Sequence, residues 1–289
     1  MNDISADIVE HLNLTADDAF VARCAKWASF PGIPAERFRQ RVIELPGGRV
    51  VFCGVRFYGT DRTRPFAEVV ADTRPTEDNG LLAAEQALKA FDIFRPPAAR
   101  LYAVDRPDFP DRWRVEADIH LVAATLEEIA AVTPPADVAL DPIDRGDIEL
   151  AMQMVNERYN ELDDKLKRLI RPCSEEQLRD CQSQKLAFWF RDGSSTAGLL
   201  ALRPEPCRHL GGLCVVEEIT IARHRGKGIA TAGQIAAAKQ LIERFGPDAY
   251  LWGTIDDANT ASLKTSQRAG RSIEGTWWFC YPPKEKRTV

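Results

Sequence analysis

Residues 219–230 read Ile219-Thr220-Ile221-Ala222-Arg223-His224-Arg225-Gly226-Lys227-Gly228-Ile229-Ala230. The stretch runs from a β-branched strand through a short basic loop with two glycines into a helix. The first N–H groups of a helix have no partner within it, and its N-terminus carries partial positive charge. Gly226 and Gly228 let those N–H groups approach a ligand closely, because no Cβ stands in the way. Arg223, His224, Arg225 and Lys227 add positive charge within five residues. Together these features describe a cradle for a pyrophosphate.

Three phosphate motifs are distinguishable here. GxxxxGK[ST] is absent. GxGxxG/A is broken by Thr231 at its last position. The pattern [Q/R]-x-x-G-x-[G/A] after a strand is met by residues 223–228 and by the overlapping 225–230. With that pattern the segment resembles the GNAT superfamily of acyl-CoA-dependent N-acyltransferases. A second piece lies about thirty residues on, past one helix and one strand. Asn259-Thr260-Ala261-Ser262-Leu263-Lys264-Thr265-Ser266-Gln267-Arg268-Ala269-Gly270 is similar to the family's N-x-x-S helix. Either motif alone is a turn or a helix cap. Together, in order, they carry the resemblance over residues 138–282.

The resemblance implies a mixed, mostly antiparallel sheet flanked by helices, an α/β (α+β) architecture, with acetyl-CoA as the acyl donor. Backbone groups of Ile219, Thr220 and Ile221 would then pair with the pantetheine arm as an added strand would. Amides of Arg225, Gly226, Lys227, Gly228, Ile229 and Ala230 would hold the pyrophosphate. Asn259 would bind the pantetheine or adenosine side, assisted by Ser262. Many members carry a tyrosine seven residues after the asparagine to protonate the leaving thiolate. Here that position is Ser266, so Tyr281, water or direct release to solvent must substitute.

Outward from the loop, the pattern predicts helices at 147–159, 175–184, 228–245 and 259–269. It predicts strands at 186–190, 196–202, 213–221, 249–255 and 272–281. The first half repeats the order weakly: a helix starting near Thr15-Ala16-Asp17-Asp18, paired strands at 49–58 and 66–71, a helix at 81–91, and strands at 100–104 and 115–123. A tandem of two GNAT-like domains follows as a hypothesis. The two prolines at 134 and 135 mark the linker, giving 1–134 as a degenerate copy and 138–289 as the acyltransferase. The degeneracy rests on residues 72–80, where one glycine and three acids would repel a pyrophosphate.

The chain has 289 residues, 45% hydrophobic and 28% charged, with 38 basic against 43 acidic side chains and a net charge of −5. That balance suits a soluble globular protein and argues against a nucleic-acid or membrane-surface binder. No apolar run reaches the ~18 residues of a membrane span, and the first residues lack a basic n-region. The expected location is the cytoplasm, with the seven cysteines as thiols. No metal site is expected, since only Cys207 and His209 lie close together. Trp277, Trp278 and Phe279 read as sheet core, and residues 284–287 as a basic tail.

The chemistry implied is transfer of an acetyl or similar acyl group from CoA to the amine of a small molecule. A lysine-like amine is unprotonated in only roughly one molecule in two thousand at pH 7, so a proton must be removed. Glu217 and Glu218 are the acids of the strand before the loop. By alternation Glu217 shares a face with Ile219 and Ile221, and Glu218 with Thr220. A bulge would exchange the faces, so both are candidates, with the polar face favouring Glu218. The alternatives are a protein N-acetyltransferase and a non-catalytic acyl-CoA-binding module.

Overall fold

A computed structural model describes residues 6–28, 30, 32–58, 61, 63–73 and 80–283. Most of the acidic loop at 72–80 and all of the basic tail at 284–287 lie outside them. In chain order the elements are helices α1 (Ala6–Ala16) and α2 (Asp18–Ala28), strands β1 (Arg41–Leu45), β2 (Arg49–Phe57) and β3 (Pro65–Asp72), helix α3 (Leu81–Ala90), and strands β4 (Ala99–Ala103) and β5 (Arg114–Thr125). Helix α4 (Leu126–Ala130), strand β6 (Ala139–Pro142) and helices α5 (Ile148–Asn160), α6 (Asp164–Leu169) and α7 (Glu175–Ser183) follow. The chain closes with β7 (Ala187–Asp192), β8 (Ser195–Pro204), β9 (Gly212–Thr220), α8 (Ile229–Phe245), β10 (Tyr250–Asp256), α9 (Thr260–Arg268) and β11 (Ser272–Tyr281). The sequence pattern missed α1, β1, α4, β6 and α6, all short or weakly periodic. Thr15 and Ala16 end α1 rather than opening a helix; Asp17 caps α2 by accepting from the Phe20 N–H at 2.9 Å.

Two compact units emerge, and they do not part at the prolines. The first comprises residues 1–120 and 275–289, the second 121–274. The segment expected as a linker lies inside the second unit. A side chain on Gly228 would meet the Pro135 ring at 2.8 Å, and Ala136 and Val138 pack on the same core as Leu126 and Ile129.

In the first unit strands β1, β2, β3, β4 and β11 lie side by side in that order. All pairs are antiparallel except β3 with β4, which run parallel at Ala67↔Ala99 and Glu68↔Arg100. Helix α3 packs its Ala83, Ala84 and Ala87 on one sheet face, with Phe91, Val51 and Val69. Alanines let a helix sit close to a sheet without leaving voids.

In the second unit the order is β10, β9, β8, β7, β6. The β6–β7, β7–β8 and β8–β9 pairs are antiparallel, and β9–β10 is parallel. Both units therefore repeat one sequence of events: antiparallel hairpin, helix, then a strand returning parallel to the hairpin's second arm. Helix α8 covers one face through Ile229, Ile235, Ala238 and Leu241, against Phe190, Leu200 and Leu213. Helices α5 and α7 cover the other through Ile148, Val155 and Leu178, against Trp189, Leu199 and Ile219.

Candidate functional site

Strand β9 is the axis of the site. It pairs with β10 only at Gly212↔Tyr250, Leu213↔Leu251 and Cys214↔Trp252. Beyond Cys214 it keeps β8 on one edge as far as Thr220, while β10 runs on to Asp256 with no further pairs to it. A strand edge released from its neighbour offers a row of backbone donors and acceptors to an extended ligand. Alternation decides which groups are on offer. The Ile221 N–H donates to the Ala197 carbonyl at 3.0 Å, so Ile221 and, two residues back, Ile219 turn their backbone groups toward β8. Thr220 and Glu218 turn theirs to the released edge. Of the three residues expected to pair with pantetheine, Thr220 is thus the one whose backbone faces outward. Its carbonyl accepts from Arg225 Nε at 3.1 Å.

Gly226 and Gly228 both take left-handed backbone angles, with φ of +73° and +77°. Gly228 is the N-cap of α8 and supplies no side-chain bond. The first intrahelical bond is Ala232 N–H to the Gly228 carbonyl, 2.9 Å, which leaves the amides of Ile229, Ala230 and Thr231 free of helical partners. Around Gly226 nothing among the described residues, its chain neighbours aside, stands within 4 Å of where a Cβ would lie. A ridge of amides, helix charge and open space fits an anionic phosphate.

The four basic side chains of this loop do different work. His224 is 7% exposed; its Nδ1 meets Asp192 Oδ2 at 2.9 Å and its Nε2 accepts from Arg223 Nε at 3.1 Å. Arg225 pairs with Glu161 at the end of α5. These three brace the loop. Lys227 is exposed and makes neither an ion pair nor a side-chain hydrogen bond among the described residues, so its charge is available to a ligand.

Downstream, Asn259 is the N-cap of α9 and accepts from the Ser262 N–H at 3.3 Å. That bond is the physical content of the N-x-x-S spacing. Ser266 is fully buried and donates to the Leu263 carbonyl at 2.8 Å, so its proton is spent inside the helix. Tyr281 belongs to the first unit, where Arg114 stacks on its ring at 4.0 Å.

The two acids of β9 part company. A bulge interrupts the β8–β9 register, with Ala201 opposite Glu217 and Leu202 opposite Val215. The extra residue is Val216, upstream of both acids, so their faces stay as alternation assigns them. Glu217 faces α5 and α7. It is 6% exposed, its Oε2 accepts from the Cys173 N–H at 3.0 Å, and its Oε1 accepts from the Glu218 N–H at 3.1 Å. The second bond places a carboxylate oxygen at the released edge of the strand. Burial pushes its pKa up, against the pull of these N–H donors and of Arg158. Glu218 faces α8, where Gln234 Nε2 donates to both its oxygens at 2.8 and 2.9 Å. Burial pushes its pKa up too, opposed by Arg271.

Sequence reasoning missed Cys173, Gln234 and Arg271. Gln234 did leave a signal, as a lone polar residue within the apolar run of α8. Cys173 and Arg271 left none. All seven cysteines are free thiols, four of them buried. Among the described residues no cluster of His, Cys, Asp and Glu is arranged to hold a metal, and no helix is long and apolar enough to cross a membrane.

No protein-family model and no curated protein matches the sequence. Solved structures do match it in fold. A GNAT-family acetyltransferase from Colwellia psychrerythraea aligns over 96% of this chain and 98% of its own, at TM-score 0.54 and 10% identity. A GCN5-related N-acetyltransferase from Sphaerobacter thermophilus aligns over 90% and 89%, at TM-score 0.51 and 13% identity. With the parted strands, the glycine cradle and the antiparallel sheet between helix layers, these likenesses identify the architecture: the chain has the fold of the GCN5-related N-acetyltransferases.

Proposed function

We propose that the protein is an acyl-CoA-dependent N-acyltransferase that moves an acetyl or similar acyl group to the amine of a small molecule. The observation that carries this reading is the juxtaposition of two features: a β9 edge released beyond Cys214, and the glycine-capped start of α8 directly after that strand. An extended chain ending in a pyrophosphate matches both at once. Residues that would hold it are Thr220 along the strand, the amides of residues 226–230, Lys227, and Asn259 at the head of α9.

Bound acyl-CoA supplies a thioester open to attack by an amine. The protein's part is to take the amine's proton and to keep water out. A base with a raised pKa lies closer to the pH at which it must accept a proton. Both acids meet that condition. Glu217 meets the positional one better, since its Oε1 sits at the released edge. Arg158, Glu161 and Arg225 form a chain of charges from α5 to the cradle that holds the loop in place.

A non-catalytic acyl-CoA-binding module is the second reading. It is favoured by Ser266, whose hydroxyl is committed to Leu263, and by the hydrogen bonds that already occupy both carboxylates. Calorimetry with CoA and acetyl-CoA tests both, with one molecule bound per chain expected. Gly226→Asp puts a negative charge into open space beside the cradle and should weaken binding at least about tenfold. Unchanged affinity would overturn the cradle. Thiol release across a panel of amines separates the enzyme from the module.

A further inference from the structure

The α8 face of β9 holds a polar cluster in which the reading above gives no task to Gln234 or Arg271. Glu218 of β9, Gln234 of α8 and Arg271, between α9 and β11, form it. Gln234 is fully buried and its Oε1 has no partner among the described residues. Arg271 is 3% exposed, and neither its Nε nor its Nη1 has a partner among the described residues. Arg271 and Glu218 attract one another but form no direct ion pair among the described residues. A buried donor left idle costs about 1–3 kcal/mol, and more when charged. Two idle donor nitrogens on one buried guanidinium call for an oxygen acceptor.

The place of the cluster says which part of a ligand reaches it. Gly253 is the first residue of β10 past its last pair with β9. A Cβ there would lie 3.5 Å from Arg271 Nη1 and 3.5 Å from Val215 Cβ. Glycine thus leaves no side chain between β10 and the buried guanidinium on the side where the strands separate. A ligand laid along the released edge, with its phosphates at α8, points its acyl end toward that apex. We propose that Arg271, with Gln234 and Glu218, is an acyl-selecting subsite that favours CoA thioesters whose acyl chain ends in a carboxylate. The inference rests on the acyl-CoA reading above.

Charge balance supports the choice. An arriving carboxylate satisfies the idle donors with charge-assisted bonds, the strongest kind available to a guanidinium. The groups facing Glu218 are Gln234 and Arg271, with Glu217 adjacent across the strand. Burial already disfavours the charged form of Glu218, against the pull of Arg271 and Gln234.

The test is calorimetry on the full chain with CoA, butyryl-CoA and succinyl-CoA, the last two having acyl chains of four carbons. Succinyl-CoA is expected to bind at least about tenfold tighter than butyryl-CoA. Arg271→Met should abolish the preference. Should that variant fail to fold, Gly253→Ala carries the test: its methyl lies at ordinary contact distance from its neighbours yet fills the approach to Nη1, so the preference should narrow while the melting temperature holds. Equal affinities for the two thioesters, or a preference that Gly253→Ala leaves intact, would overturn the subsite alone. No binding of CoA itself would remove the proposed function, and the subsite with it.

Discussion

Glu217 and Glu218 are neighbours in the chain with different surroundings, and the difference predicts their mutants. Glu217 reaches the released edge, so Glu217→Gln should lower turnover at neutral pH by ~10²–10⁴, the usual worth of a placed base. Acetyl-CoA affinity should stay nearly unchanged. The deficit should shrink at high pH, where the amine deprotonates unaided. Equal, near wild-type turnover in Glu217→Gln and Glu218→Gln would mean that no direct carboxylate base acts here. Glu218 also makes a statement about stability. Its pKa is raised in the fold from an ordinary 4.5, so the folded state binds the proton more tightly than the unfolded one. Stability from this group is full below that ordinary value and is lost as pH rises through the folded value. Glu218→Gln should flatten that decline, read from denaturant unfolding at a series of pH values. A decline as steep as in wild type would mean that the loss arises elsewhere.

Helix α8 meets the sheet at Gly233 with no room for a side chain. A Cβ on Gly233 would fall 2.2 Å from the Phe190 ring, which is itself fully buried. Helix propensity alone favours alanine over glycine by about 1 kcal/mol. Overpacking a filled core costs typically about 1–3 kcal/mol, and here the sterics should win. Gly233→Ala is expected to lower the denaturant midpoint, and because α8 also presents the cradle, to weaken CoA binding with it. A rise in stability would mean that Phe190 can swing aside. Gly198 makes the same demand on β9, since a Cβ there would lie 2.1 Å from the Ile219 carbonyl oxygen. Glycines at both positions set how near the cradle and the strand can stand to their supports.

For the whole molecule, the two units exchange chain at their borders: residues 121–137 belong with the second and 275–289 with the first. A fragment begun at the prolines, 138–289, therefore loses α4. Leu126 and Ile129 of that helix are fully buried in the core beneath α8, and the α4 N-terminus hydrogen-bonds the Ala249 and Pro247 carbonyls. Removing two buried aliphatic side chains forfeits roughly 3–6 kcal/mol, comparable with the ~5–15 kcal/mol that holds a whole domain together. The 138–289 fragment should show no cooperative thermal melt, whereas a 121–274 fragment should melt cooperatively. The reverse result would overturn this division of the chain.

What the sequence by itself determined is what contiguous residues encode. The glycine cradle follows from positive φ at Gly226 and Gly228, and the α9 start from the reach of Asn259 to Ser262. Each depends on groups a few positions apart, so composition and spacing suffice. Tertiary structure alone decided where the units divide, which edge of β9 is free, and which acid reaches it. Glu217 finds its N–H donor 44 residues away on Cys173. Gln234 meets Glu218 from a helix on the far side of the loop, and Arg271 becomes a buried charge only once β10 passes beneath it with a glycine. Such contacts carry no local signal, because a side chain's partners are set by the packing of distant elements and not by its neighbours in the chain.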